Sequence, residues 1–286
     1  MRWRRKIYDN CVIQAPDGTP VSRCLRSRLD WYLSRGLATR IDEDTIRLHK
    51  EPSGSCHVRE ATEIKLNICV VCGDTKKLST HHVVPYCFRN ALPLEWRASA
   101  ALYHDTVALC DKCHRSYEKY GNLLKKQLAS QFGISVHGYG VIVEGKRTTM
   151  RSYARTLLEL PPRNKKRRKK FYFNPPPEKR QEFLQRIAEY IGHEPTQEEL
   201  LEMTEWNTVI KTEDYIPYGK YIVDQFDPAD LVLMWRKHFL DTMKPRFMPG
   251  YWSLERLPTP EETEHLLQEL QDDPKEVRWR FRTESA

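Results

Sequence analysis

Two short cysteine pairs constrain this chain more than anything else in it: Cys69-Val-Val-Cys72-Gly73 and Cys110-Asp-Lys-Cys113. Two residues between the thiols of a pair let both sulfurs face one ion, and Gly73 permits the tight turn that follows. Four thiolates at about 2.3 Å from one ion close a tetrahedral structural zinc site with no position left for substrate. The alternative is a site that has lost its metal and whose cysteines merely pack. A redox pair is normally single and set near a βαβ pattern, which this chain lacks. The remaining cysteines, Cys11, Cys24, Cys56 and Cys87, have no framework spacing. The N-terminal Met1-Arg-Trp-Arg-Arg-Lys-Ile-Tyr lacks the apolar core of a secretory signal, so a secreted disulfide protein is not expected. The expected location is intracellular, in the cytoplasm or with the genome. An arginine-rich organellar presequence is the lesser alternative.

Composition sets the scale of the cores. With 30% charged and 40% hydrophobic residues among 286, several modest cores are expected rather than one deep one. No run of about 18 apolar residues exists to cross a membrane. The net charge of +8 favours polyanionic partners, and nucleic acid is the commonest of these.

The chain divides into four parts on pattern. Residues 1–60 read as a small ββαβ accessory module. Val12-Ile13, an Asp17-Gly18 turn and Val21 suggest a hairpin; Leu25, Leu29, Tyr32 and Leu33 share one helical face closed by Gly36; Ile46 and Leu48 alternate as a strand. Residues 61–135 hold the cysteine pairs and a helix marked by Tyr117, Tyr120, Leu124 and Leu128. Residues 136–177 read as a linker containing the basic run from Arg163 to Lys170 and the triplet Pro175–Pro177. That run is either a solvated linker or a phosphate-contacting arm using Lys165, Lys166, Arg167 and Arg168, with nuclear import a minor option. Residues 178–286 read as mainly helical. Thr196 and Glu199 make a capping-box pattern, Leu231, Trp235 and Phe239 an apolar stripe, and Thr259-Pro260-Glu261-Glu262 another helix start. A helix-turn-helix reader around 181–207 is possible, though such stripes are usually core.

Between and around the cysteine pairs lie His81-His82-Val-Val-Pro85, Asp105 and His114, the last directly after Cys113. This ordered combination, over about 50 residues from Cys69 to Glu118, resembles the HNH family of nucleases. The resemblance implies a ββα-metal unit, in which a β-hairpin and a helix grip one divalent ion such as Mg2+, Mn2+, Ni2+ or Zn2+. By resemblance His81 and His114 are metal ligands, and His82 is the general base that activates water. Glu118, one helical turn beyond His114, stands where some members have a further ligand. Asp105 falls where the family usually has asparagine, the residue that buttresses the hairpin and orients the base.

Elementary chemistry supports these roles. A neutral imidazole with a pKa near 6.5 can take the proton of water at cellular pH. An incompletely coordinated divalent ion stabilises charge on a leaving oxygen. An acid such as Asp105 can fix the tautomer of the imidazole through its other nitrogen. Arg89, Arg97 and Arg115 surround the motif as candidate phosphate contacts, although each alone reads equally well as a solvated helix residue.

The expectation is an α+β chain: a zinc-stapled ββα-metal core, a small N-terminal α/β module and a helical C-terminal domain. Its expected function is metal-dependent hydrolysis of phosphodiester bonds in nucleic acid, DNA before RNA. The alternative is a catalytically inactive zinc-ribbon adaptor that binds nucleic acid or protein. Target, biological role and oligomeric state are not legible in the sequence.

Overall fold

The computed structural model describes residues 6–51, 59–160 and 175–272, and its architecture is α+β. The chain forms two compact units. One comprises Met1–Val136 together with Tyr218–Ala286, and the other is the intervening His137–Pro217.

The first unit begins with a four-stranded sheet. Strands β1 (Cys11–Gln14) and β2 (Pro20–Cys24) form the expected hairpin. Its turn is held by Asp17, whose carboxylate accepts bonds from the Thr19 amide and hydroxyl at 2.7 and 2.9 Å. Helix α1 (Arg26–Ser34) follows, then β3 (Ala38–Arg40) and β4 (Thr45–Leu48). Strand order is β2-β1-β4-β3, with β1 parallel to β4. Leu29 of α1 covers Cys11, Ile13, Val21 and Ile46 on one face of the sheet. The extra strand β3 is three residues long with one buried side chain, too short to show a period of two.

After the short helix α2 (Arg59–Thr62) come β5 (Leu78–His82), then α3 (Tyr86–Arg89), α4 (Leu94–Ala98) and α5 (Ala100–Tyr103). Strand β6 (Thr106–Cys110) returns antiparallel to β5, pairing Leu78 with Cys110 and His82 with Thr106. Helix α6 (Asp111–Gln131) starts directly from the end of β6. A strand ends and a helix begins between Cys110 and Cys113, so the second cysteine pair straddles that junction.

The second unit has its own sheet and core. Strand β7 (Tyr139–Val143) pairs antiparallel with β8 (Val209–Ile216), and between them lie α7 (Gly145–Leu157), α8 (Pro177–Ile191) and α9 (Gln197–Met203). Met150, Ala154, Ile187, Leu200 and Met203 bury its interior. The capping box at Thr196 forms as the sequence suggests, and Gly192 ends α8 in the left-handed region. Much of the stretch read as linker, 136–177, is therefore β7 and α7. The run from Arg163 to Lys170 lies outside the described residues.

The chain then rejoins the first unit through α10 (Tyr218–Val223), α11 (Pro228–Met243) and α12 (Pro260–Asp272). Leu231, Val232 and Trp235 of α11 pack with Phe88, Leu102, Leu128 and Ile222, while Phe239 joins the cysteine-rich cluster of Cys69, Leu78, Cys110 and Tyr117. The division read from sequence, with residues 178–286 as one helical domain, thus differs from the observed one. The stripe on α11 is real, but periodicity does not say which surface a stripe covers.

Candidate functional site

The cysteines converge as their spacing demands. The four sulfurs of Cys69, Cys72, Cys110 and Cys113 lie within 4.8 Å of one another, a group that could hold a metal ion. The Sγ atoms of Cys72 and Cys110 are 3.7 Å apart. Tetrahedral thiolates at about 2.3 Å from an ion stand about 3.8 Å from each other, so the spacing fits. Burial and the neighbouring sulfurs push the Cys110 and Cys113 thiols up, a cost that a cation among them removes.

The turn is fixed from two sides. Gly73 has φ +78°, and its amide bonds the Cys69 carbonyl at 2.8 Å. A Cβ on Gly73 would meet the Phe247 ring at 3.0 Å, so any side chain there is both strained and crowded. The Val70 amide bonds the Ala108 carbonyl at 2.9 Å, tying the first cysteine pair to β6.

Behind the cysteines, β5 and α6 bring three further donors together. His81 Nδ1 lies 3.2 Å from His114 Nε2, and His114 Nε2 lies 3.4 Å from Glu118 Oε1. These are pairwise contacts; among the described residues only the cysteines form a group of three or more within 4.8 Å. Ser79 fixes the tautomer of His114. Its hydroxyl donates to the Leu109 carbonyl at 3.3 Å, so it accepts from His114 Nδ1–H at 2.8 Å and leaves Nε2 with its lone pair. Ser79 and His81 alternate on one face of β5, so a period of two could have found Ser79. Tyr117 of α6 meets the His81 ring edge-on at 5.1 Å.

His82, the next residue on β5, takes the other face. Its neighbours there include Thr80 and Thr106, whose hydroxyls hydrogen-bond the hydroxyl of Tyr8, a residue no motif singled out. Both adjacent histidines are held neutral. Burial first, then the charges of His114 and His82, push His81 down to about 3; burial and then Arg89 push His82 down to about 4. Burial likewise lowers His114, against the opposing pull of Glu118 and Asp111. Neutral imidazole is the form that binds a metal or accepts a proton. His82 Nδ1 and His81 Nε2 are buried and have no hydrogen-bond partner among the described residues.

Asp105 is not where the sequence reading placed it. Its side chain is fully buried, with Oδ2 3.3 Å from Arg236 Nε and Oδ1 accepting from Trp252 Nε1 at 2.8 Å. Burial raises its carboxyl above the ordinary value, and Arg236 and then Trp252 pull it back. Each oxygen thus meets a partner from the C-terminal part of the chain, and among the described residues neither is hydrogen-bonded to His82. Only its backbone supports the hairpin, through the Val83 amide at 3.2 Å.

The candidate phosphate contacts also separate. Arg115 is bound by Asp111 on the same helix, with both oxygens at 2.8 Å, and behaves as a surface ion pair. Arg97 reaches the Asn90 carbonyl at 3.5 Å. Arg89, half-buried at the end of α3, has no ion-pair partner among the described residues. Lys165, Lys166, Arg167 and Arg168 lie outside the described residues. No helix of the described residues is long and apolar enough to cross a membrane.

Three curated relatives set this geometry in context. The chain is similar to exonuclease 3'-5' domain-containing protein 2 of Homo sapiens, with 32% identity over 87% of the chain and 40% of the relative. The Drosophila melanogaster protein of the same name is 28% identical over 87% of the chain and 43% of its own length. Protein RRP6-like 3 of Arabidopsis thaliana is 31% identical over 68% of the chain and 24% of its own length. The chain thus spans about two fifths or less of each of these relatives. No protein-family model and no solved structure matches it.

Proposed function

We propose that this chain is a metal-dependent nuclease of the HNH type, cutting phosphodiester bonds within nucleic acid, DNA before RNA. One observation carries the reading. His114 Nε2 contacts both His81 Nδ1 and Glu118 Oε1, while His82 stands next in the strand with a neutral imidazole. The names of the Homo sapiens and Drosophila melanogaster relatives, which contain the word exonuclease, support a nuclease of some kind. The order β5, β6, α6 with the cysteines at the strand–helix junction is what a ββα-metal unit with a structural zinc would require.

The donor set suits a divalent ion. Two nitrogens at about 2.0–2.1 Å from an ion stand about 3.0–3.4 Å apart, and the observed separation is 3.2 Å. His81, His114 and Glu118 would hold that ion, and the four cysteines would hold zinc. A bound ion supplies Lewis-acid stabilisation of charge growing on the leaving oxygen. The chain supplies the rest. Ser79 orients His114, and Tyr117 packs the His81 ring. His82 Nε2 accepts the proton of the attacking water, and the pull of burial and Arg89 keeps it unprotonated beforehand.

A second reading follows from the relatives' printed name: removal of nucleotides from a 3' end. Circular substrates separate the two. The zinc-loaded protein is expected to cut supercoiled plasmid and circular single-stranded DNA when manganese, magnesium or nickel is added. Digestion of linear strands only, stepwise from the 3' end, would replace the endonuclease reading. A folded, zinc-loaded protein that cuts neither DNA nor RNA with any of these ions would leave the adaptor.

A further inference from the structure

Three arginines flank the histidine cluster in sequence, and among the described residues only Arg115 has an ion pair, with Asp111. Arg89 and Arg97 each bury an Nε that has no hydrogen-bond partner, but Arg97 still reaches the Asn90 carbonyl through Nη1. Arg89 has no hydrogen bond and no ion pair among the described residues. A half-buried cation with no ion pair is costly, and the charge of Asp105 answers that of Arg89 only in part. The nearest candidate inside the protein, Asp105, already gives one oxygen to Arg236 and the other to Trp252. The local count is therefore two guanidiniums, Arg89 and Arg236, against one carboxylate.

The position of that surplus charge follows from the chain. Only Val83, Val84 and Pro85 separate His82 from α3, and the Arg89 amide bonds the Pro85 carbonyl at 3.1 Å, closing a single turn. Val84 and Phe88, both fully buried, anchor that turn to the core beneath it. Arg89 is also the one charge that acts appreciably on His82. Gly219 sets how closely the turn packs on its far side, since a Cβ there would fall 2.1 Å from the Cys87 carbonyl oxygen. The guanidinium thus sits on a rigid turn rather than a mobile side loop.

We propose that Arg89 binds the scissile phosphodiester, holding a non-bridging oxygen beside His82. A guanidinium presents several donors in a fixed fork that matches phosphate oxygens, and it cannot lose its charge. Donors preorganised toward a reacting phosphate contribute most where charge develops. The residue is assigned as a catalytic contact of the nuclease described above and rests on that reading for its chemistry, though not for its affinity for the anion.

The test therefore uses binding and cutting separately. Diethyl phosphate, a phosphodiester monoanion, is titrated into the zinc-loaded protein while the His82 ring signals are followed by NMR, assigned with His82→Gln. Wild type is expected to show saturable shifts. Arg89→Gln is expected to weaken them at least about tenfold, the scale of one lost charge-assisted hydrogen bond, and Arg89→Lys to fall between. In single-turnover cutting of DNA with manganese, Arg89→Gln is expected to be about 100-fold or more slower. Zinc content and circular dichroism of both variants must match wild type, and Arg89→Lys covers the case in which the glutamine variant fails to fold. If wild type cuts DNA while Arg89→Gln binds and cuts as well as wild type, the assignment is wrong and the nuclease reading survives. Arg89-dependent binding without any cutting would keep the anion site and remove the nuclease. An absence of His82 shifts in wild type overturns the proposal outright.

Discussion

Replacing Arg236 with methionine removes more than a charge. The guanidinium bonds Asp105 Oδ2 at 3.3 Å, the Ala101 carbonyl at 2.9 Å and the Leu254 carbonyl at 3.2 Å, and it also reaches the Arg256 carbonyl. Its side chain is 2% exposed and that of Asp105 0%. Methionine fills the space but strands the carboxylate, with Trp252 as its one remaining partner. Breaking a buried pair from one side costs about 3–5 kcal/mol, so the folded-to-unfolded ratio should fall roughly a thousandfold. The buried carboxyl then holds its proton more tightly than in the unfolded chain. The carboxylate's share of the deficit is therefore small near the unfolded value of about 3.9 and grows as pH rises above it, whereas the loss of the bonds to the Ala101, Leu254 and Arg256 carbonyls is the same at any pH. Asp105→Leu in the same background removes the stranded group and should recover more than half of the loss, because an apolar pair can replace a buried ion pair at little cost. The assay is urea unfolding of the zinc-loaded variants, followed by tryptophan fluorescence at pH 5 and pH 8. A single-variant loss under about 1 kcal/mol, or strictly additive losses in the double variant, would refute the pairing. Asp105→Asn with wild-type stability and no cutting would instead return Asp105 to the role of orienting His82.

The two donor clusters should separate on metal analysis. Cys110→Ser is expected to lose the zinc and cooperative unfolding together, whereas His114→Ala keeps one zinc per chain and loses the added divalent ion and the cutting; elemental analysis with calorimetry of manganese binding checks both. Gly219→Ala places a Cβ 2.1 Å from the Cys87 oxygen and 2.7 Å from its carbonyl carbon, both backbone atoms that cannot swing aside. Its expected cost is at or above the upper end of the overpacking range, about 3 kcal/mol, and an unchanged urea midpoint would show that α3 and α10 part easily.

Local grammar is legible in this sequence because local rules decide it. The hairpin of Asp17-Gly18, the capping box of Thr196 and Glu199 and the start of α12 at Pro260 each depend on residues within a few positions of one another. The cysteine quartet was equally legible, since a metal site advertises its ligands by type and spacing. Asp105 misled for the opposite reason. Its partner, Arg236, lies 131 residues away on a helix whose own period says only that it has an apolar side. Tyr120 shows the same limit on a smaller scale: it fits the helical repeat with Tyr117 and Leu128, yet it is exposed while they are buried. The start of the inserted unit after Val136 falls within a residue of the division read between 135 and 136, but its end before Tyr218 carries no composition shift and left no mark. The true charge run falls inside that unit instead.

That insertion has a consequence for how the chain emerges from a ribosome. The segment from His137 to Pro217 contains both strands of its own sheet and its own core, so it can close as soon as it is synthesised. The β1–β4 sheet with α1 meets the same condition, but the stretch that carries the cysteines and Asp105 does not. Asp105 and Cys113 precede the arginine that answers the first and the Phe239 that covers the second by more than a hundred residues, so both leave the exit tunnel well before those partners are made. A metal ion held by the four cysteines would be a strong ordering step for residues 69–113 in that interval, since all four ligands lie within them. Growth in zinc-depleted medium should therefore harm the yield of folded chain during synthesis far more than chelation harms protein already complete.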